Sequence, residues 1–153
     1  MGNRRRFMLA CAAALCAAAS FAHVAHAAGE PLRVATDATF APMEFVENGK
    51  RTGFDVDLIE ALARTMGRPV EWTDIDFKGL VPGLISRRFD VAISGIYITE
   101  ERKKRVDFSG KYYNTPNSFV ARKGAGLDIS ATGLRGKAVG VQRGTTHQCF
   151  MEK

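Results

Sequence analysis

The spacing of apolar residues after position 30 predicts short buried strands that alternate with amphipathic helices. The clearest helix covers residues 55–66, because apolar side chains recur there three and four positions apart. Asp55 and Asp57 lie in its first turn, where the helix dipole favours acids, and Gly67 ends it. Shorter apolar runs predict strands at residues 32–36, 70–75, 90–94, 118–122 and 138–142.

Turn and cap signals divide the chain between these elements. Pro42 blocks regular strand pairing, so residues 37–45 are predicted to form a loop. Residues 47–50 read ENGK and predict a turn. Further helices are predicted to begin near Leu80, after a Thr99 cap and at residues 144–146.

The alternation of strands and helices is typical of an α/β fold with a mostly parallel sheet. In such sheets, ligands bind beyond the carboxyl ends of the strands. Polar segments occupy this position in the chain: Asp37 follows the first strand, residues 94–97 the third and residues 144–146 the last. We therefore expect one binding crevice that these strand ends share.

The first 27 residues have the pattern of a secretory signal peptide. Arginines at positions 4–6 precede the apolar stretch 7–22, and Ala25 and Ala27 supply the small residues of a cleavage site. A membrane anchor is the alternative, but this stretch is shorter than the roughly 20 residues that a helical span needs. We predict export to the periplasm, by the general secretory route or by the twin-arginine route.

The charge of the chain does not favour a nucleic-acid partner. Half of the net charge of +6 belongs to the leader arginines, which leaves +3 for residues 28–153. The basic run at residues 102–105 adjoins Glu100 and Glu101, which is typical of a solvated helix face.

Cys149 is the single cysteine after the leader, so no internal disulfide is expected. No cofactor or metal is expected either, because no metal-ligand spacing or phosphate loop occurs.

Six segments of the chain carry a family resemblance. Residues 53–58 read GFDVDL and continue into the apolar stripe of the first helix. This pattern resembles the signature of the family 3 periplasmic solute-binding proteins, which serve ABC transporters of polar amino acids. The resemblance implies a periplasmic-binding-protein-like (type II) fold of two lobes. The other matching segments are residues 36–42, 77–82, 90–99, 102–109 and 134–146.

Arg102 is the strongest candidate for a ligand-binding residue. Its guanidinium presents a planar fork that matches a carboxylate, and it follows the Thr99 cap, where the helix dipole also favours an anion. Its basic neighbours make a solvated surface cation the alternative. The resemblance implies that Arg102 holds the α-carboxylate of the ligand, and that Thr145 or Thr146 also touches it.

The resemblance assigns an acid and two aromatic residues to the same pocket. It implies that Asp37 faces a nitrogen of the ligand side chain, which favours basic or amide side chains over acidic ones. Taken alone, an Asp at this place is more often a turn former. Phe40 and Phe77 match aromatic positions that sandwich the ligand, with core packing as the alternative.

The turn after the third strand also matches the family. Ser94, Gly95 and Tyr97 correspond to residues that line the cleft, and Gly95 lets a ligand approach the backbone closely. Tyr97 departs from the Ser or Thr that is common in binders of basic amino acids and glutamine. This departure leaves the identity of the ligand open.

The resemblance also predicts the domain organisation. Residues 28–116 correspond to lobe 1 without its returning segment, and residues 117–153 to a hinge strand and the start of lobe 2, which is incomplete. Family members continue further, so we expect a fragment or a truncated gene product, with the acid for the α-ammonium group beyond Lys153. Since a lone strand and a helix start bury little apolar surface, residues after 123 are expected to pack poorly. We also expect the chain to bind ligand weakly or not at all.

The resulting hypothesis is a monomeric solute-binding component that delivers a small polar amino acid, with a basic or amide side chain, to an inner-membrane ABC permease. An enzyme is the main alternative, because cyclohexadienyl dehydratases, which act on prephenate or arogenate, resemble these binders. No Cys-His or Ser-His constellation supports catalysis. A sensor-type ligand-binding domain and a non-functional remnant are further alternatives.

Overall fold

The structure, a computed structural model, describes residues 29–153, so the predicted signal peptide at residues 1–27 lies outside the described residues. The strands are β1 Leu32–Thr36, β2 Thr39–Phe40, β3 Glu44–Glu47, β4 Lys50–Thr52, β5 Val70–Asp74 and β6 Val91–Ala92. The helices are α1 Phe54–Thr65, α2 Leu80–Ile85, α3 Glu100–Lys103, α4 Ala131–Leu134 and α5 Thr146–Met151. A 3₁₀ turn, Phe77–Gly79, precedes α2.

The central sheet is parallel, as the sequence predicts. β1 lies between β5 and β6 and pairs with β5 along its full length. The crossover from β1 to β5 contains α1, and the crossover from β5 to β6 contains α2. Because the strands run in the same direction, the segments that follow β1 and β6 meet at one edge of the sheet.

Apolar residues cover both faces of this sheet, and β1 is buried between them. One cluster packs α1 against the sheet, and the other packs α2 against its opposite face. The buried residues of the first cluster are Leu32, Val34, Ile59, Ala63 and Ile93. Those of the second are Ala35, Leu80 and Phe89.

The predicted helix at residues 55–66 is confirmed, with one residue of difference at each end. Met66 caps the carboxyl end of α1, and Gly67 follows with a φ of 65°. This positive φ suits glycine, which has no Cβ to clash. The strands predicted at residues 32–36 and 70–75 are confirmed, and the one at residues 90–94 is confirmed as the shorter β6.

The predicted loop at residues 37–45 is wrong in part, because it contains β2 and the start of β3. These strands form a small antiparallel sheet with β4. Pro42 lies between β2 and β3 and therefore removes no hydrogen bond from either strand. The turn predicted at residues 47–50 is confirmed: Asn48 and Gly49 have φ values of 52° and 75°, a combination typical of a tight hairpin.

Residues 111–153 form no strand and bury little surface. The strands predicted at residues 118–122, as a hinge, and 138–142 are therefore wrong. A strand needs a neighbour that pairs its backbone groups, and no strand of the described chain pairs with either segment. Thr145 is the one buried residue in this region. This agrees with the poor packing that we expected there.

Candidate functional site

Asp37 lies directly after β1 and is almost completely buried. Its carboxylate accepts hydrogen bonds from Thr39 Oγ1 at 2.7 Å and from the backbone N–H of Phe77 at 2.9 Å. Gln142 Nε2 donates to the same carboxylate at 2.9 Å. The backbone N–H of Asp37 donates to Ser94 Oγ at 3.2 Å. Asp37 therefore connects the ends of β1 and β6 with the segment before α5.

Arg102 lies in the first turn of α3, with its guanidinium against the Phe77 ring at 5.9 Å from the ring centre. Nη1 donates to the Tyr97 carbonyl at 2.8 Å, and Nη2 donates to the Gly144 carbonyl at 2.9 Å. No carboxylate of the described residues forms a salt bridge with it. Burial lowers the pKa of Arg102 from its ordinary value, although a guanidinium stays protonated. A half-buried cation without a counter-ion favours an anionic ligand beside it.

An open cavity of about 1590 Å³ lies between α3, the 3₁₀ turn and the C-terminal segment. Its lining includes four of the predicted site residues: Phe77, Arg102, Thr145 and Thr146. The other five predicted residues do not line it; they are Asp37, Phe40, Ser94, Gly95 and Tyr97. Asp37 is connected to the cavity lining by its hydrogen bond to Gln142, and Tyr97 by its hydrogen bond from Arg102.

The two threonines at the start of α5 have different partners. Thr145 Oγ1 donates to the Gln142 carbonyl at 2.7 Å and accepts from the backbone N–H of Gln148 at 3.3 Å. Thr145 therefore caps α5. Thr146 Oγ1 is buried and has no hydrogen-bond partner among the described residues. A buried hydroxyl without a partner is unfavourable, so Thr146 is the threonine available to a ligand.

The turn after β6 brings Gly95 against Phe40. Ser94 Oγ donates to Glu44 Oε1 at 2.5 Å and accepts from the Asp37 N–H, so the Ser94 hydroxyl binds protein partners. Gly95 has a φ of 54°, and a Cβ at this residue would lie only 3.3 Å from Phe40 Cε1. Phe40 is 51% exposed, so core packing does not explain this aromatic residue.

Tyr97 contacts two residues that line the cavity, Asn117 and His147. Its hydroxyl donates to Asn117 Oδ1 at 3.0 Å, and His147 Nε2 lies 2.8 Å from the same Asn117 oxygen. The His147 ring meets the Tyr97 ring edge-on, with centroids 6.2 Å apart. The large side chain that departs from the family pattern is thus held by Asn117 and by α5.

Residues 32–148 match the family of bacterial extracellular solute-binding proteins, family 3. The chain belongs to this family. The L-arginine-binding protein of Pseudomonas aeruginosa is 42% identical to it over 121 residues, which are 78% of this chain and 47% of that protein. The chain therefore spans about half the length of the curated relatives that it matches.

Solved structures of arginine-binding proteins resemble this family 3 chain in fold. An ancestral arginine-binding protein bound to arginine is 47% identical, with a TM-score of 0.76 over 81% of this chain and 55% of that chain. The arginine-bound form of domain 1 from TmArgBP is 49% identical, with a TM-score of 0.53 over 56% of this chain and 68% of that chain. The expected periplasmic-binding-protein-like fold is confirmed.

Three residues that contact Asp37, Arg102 or Tyr97 have no role assigned from the sequence of this family 3 protein: Gln142, Gly144 and Asn117. Gly144 lies in the polar segment at residues 144–146 that was expected at the crevice, and Gln142 lies just before it in a matching segment. No sequence pattern indicated a role for Asn117, because its partners Tyr97 and His147 lie 20 and 30 positions away along the chain.

Residues 29–153 contain neither a membrane-spanning helix nor a cluster of metal ligands. None of the helices there is long and apolar enough to cross a lipid bilayer. No group of three or more His, Cys, Asp or Glu side chains is arranged to hold a metal ion. The cysteine of this part of the chain, Cys149, is free and exposed.

Proposed function

We propose that this chain is the ligand-binding part of an extracytoplasmic solute-binding protein for arginine and related basic L-amino acids, and that it is not an enzyme. One observation carries the proposal: Phe77 contacts both the buried carboxylate of Asp37 and the half-buried guanidinium of Arg102. Its backbone N–H donates to Asp37, and its ring lies against the guanidinium of Arg102, which has no counter-ion among the described residues. A basic amino acid has the complementary charges, a carboxylate at one end and a cation at the other.

The proposed ligand contacts follow from the free groups at each end. Arg102 binds the α-carboxylate through its remaining N–H donors, and the Thr146 hydroxyl donates a further hydrogen bond to it. Asp37 binds the side-chain nitrogen in place of the Gln142 amide. Phe40 and Phe77 hold the carbon chain between them. The turn of Ser94, Gly95 and Tyr97 closes the pocket on the remaining side.

We further propose that lobe 1 holds most of this site. With a lobe boundary near residue 116, all the proposed contacts except those of α5 fall in lobe 1. The arginine-bound form of an isolated domain 1 from TmArgBP supports ligand binding by a single lobe of this fold. We therefore expect this chain to bind arginine, but less tightly than a protein in which a second lobe closes over the ligand.

The proposed cellular role is delivery of the amino acid to an inner-membrane ABC permease from the periplasm. Membership in a family of extracellular solute-binding proteins and the leader pattern at residues 1–27 support this role. We propose that the protein acts as a monomer whose ligand-bound form docks on the permease.

Isothermal titration calorimetry of the purified chain tests the ligand. Arginine should bind, lysine, ornithine and histidine should bind with similar or lower affinity, and glutamate should not bind. The physical reason is that the buried Asp37 carboxylate repels an acidic side chain. Binding of glutamate in preference to arginine, or of none of these amino acids, would contradict the proposal.

A pair of matched substitutions tests the role of Arg102. Arg102→Lys keeps the charge but removes the planar fork, so the Kd for arginine should rise about tenfold or more. Arg64→Lys is the control, because Arg64 lies on α1 with a largely exposed side chain and does not line the cavity. An equal effect of the two substitutions would exclude a specific contact by Arg102.

A further inference from the structure

Two fully buried acids lie beneath the turn that follows β6. Glu44 is the first residue of β3, Asp55 lies in the first turn of α1, and both are 0% exposed. No cation in the described part of the chain forms a salt bridge with either one. Two negative charges buried together without a cation are strongly unfavourable.

Three donors bind this pair, and they leave one oxygen of each acid unused. Ser94 Oγ donates to Glu44 Oε1 at 2.5 Å. The backbone N–H of Gly95 and the Tyr112 hydroxyl donate to Asp55 Oδ2 at 3.3 Å and 2.9 Å. The other two oxygens, Glu44 Oε2 and Asp55 Oδ1, are buried and receive no hydrogen bond from any other described group.

We propose that Glu44 and Asp55 share a single proton between these two oxygens, and that the pair positions the Ser94–Gly95 turn of the site. A carboxylic acid that donates to a carboxylate satisfies both unused oxygens with one hydrogen and leaves one negative charge. Both carboxyls lie beneath the same turn, because Glu44 accepts from Ser94 and Asp55 accepts from the next residue, Gly95. The positioning role rests on the proposed function, whereas the shared proton does not.

The surroundings of the pair favour the protonated form. Burial raises the pKa of Glu44 from 4.5 to about 8; the charge and hydrogen bond of Asp55 and the charge of Asp37 raise it too, and only the Ser94 hydroxyl opposes them. Burial and the Asp55 charge also raise the pKa of Tyr112, so this phenol remains a hydrogen-bond donor. The folded chain therefore binds one proton more than the unfolded chain from about pH 4.5 to about 8, and its stability falls as pH rises through this window.

Urea denaturation at a series of pH values tests the shared proton. Between pH 5 and pH 8, the unfolding constant of the wild type should rise about tenfold per pH unit relative to that of Glu44→Gln. The amide of this variant donates permanently to Asp55 and needs no titrating proton. Glu47→Gln is the matched control, because Glu47 is an exposed residue of the same strand and should keep the wild-type slope. Equal slopes for the wild type and Glu44→Gln would overturn the proposal.

Infrared spectroscopy and a second variant detect the proton directly. At pH 7 the wild type should show the C=O stretch of a buried protonated carboxyl, and Glu44→Gln should lack it. In Asp55→Asn the buried Glu44 should keep its proton, but the band should shift because the acceptor of that proton is no longer a carboxylate. A band that persists in Glu44→Gln, that is unchanged in Asp55→Asn, or that is absent from the wild type, would contradict the shared proton.

The positioning role has its own readout in the pH profile of arginine affinity. In the wild type the Kd should rise above pH 8, where the pair loses its proton and the turn loses its support, and Glu44→Gln should flatten this rise. An unflattened rise would refute the positioning role. If the wild type binds no amino acid at any pH, the proposed function fails, and the denaturation slope and the infrared band still decide the shared proton.

Discussion

Thr145 and Thr146 are adjacent and chemically identical, yet the structure gives their hydroxyls different roles. Thr145→Val removes the cap of α5 and should lower the free energy of unfolding by about 1 kcal/mol, which urea denaturation measures. Thr146→Val removes a hydroxyl with no protein partner, so it should leave stability unchanged and raise the Kd for arginine about tenfold in calorimetry. Each variant is the control for the other. A rise in Kd for Thr145→Val and a loss of stability for Thr146→Val would contradict the proposed contact of Thr146 with the carboxylate.

The junction between the antiparallel sheet and α1 depends on a single glycine. Gly53 has a φ of 124°, and a Cβ there would lie 2.2 Å from the Met43 carbonyl oxygen. Gly53→Ala should therefore destabilise the chain by about 3 kcal/mol or more, from backbone strain and steric overlap together. Gly49→Ala is the control, because Gly49 also has a positive φ but open space around it, and should cost about 1–2 kcal/mol. Denaturation midpoints that do not separate the two variants would contradict this role of the junction.

The chain is packed unevenly along its length, and amide hydrogen exchange should show this. The amides of β1 are buried in a sheet with neighbours on both sides and should exchange slowly. Residues 111–129 have one backbone hydrogen bond between them, from Ala125 to Arg122, and should exchange almost at the rate of an unfolded peptide. Added arginine should slow exchange around residues 142–148, where the site meets α5. Protection of residues 111–129 equal to that of β1 would show that this segment is packed in solution.

Local pattern was sufficient for the elements whose packing partners are close in the chain. The stripe of α1, its glycine end and the buried β1 all follow from residue spacing, because each element meets a sheet formed within the next sixty residues. The apolar runs at residues 118–122 and 138–142 have the same local character, but no neighbouring strand pairs with them. Strand propensity describes a surface that fits a sheet, and it cannot supply the partner.

The candidate site also has features that could be predicted from the sequence and features that only the fold revealed. The family resemblance was needed to choose Arg102 and Asp37 as the charged ends of an amino-acid pocket. Residue types alone left a turn former for Asp37 and a solvated surface cation for Arg102 as alternatives. The three-dimensional fold was needed to show that Gln142 already donates to the Asp37 carboxylate and that the hydroxyl of Thr146, not that of Thr145, has no partner among the described residues. It was also needed to show that Glu44 and Asp55 each keep a buried oxygen without a donor. These facts depend on which oxygens remain without a donor after the chain has packed. A hydrogen-bond partner distant in sequence leaves no trace in the local pattern, so only the folded arrangement reveals it.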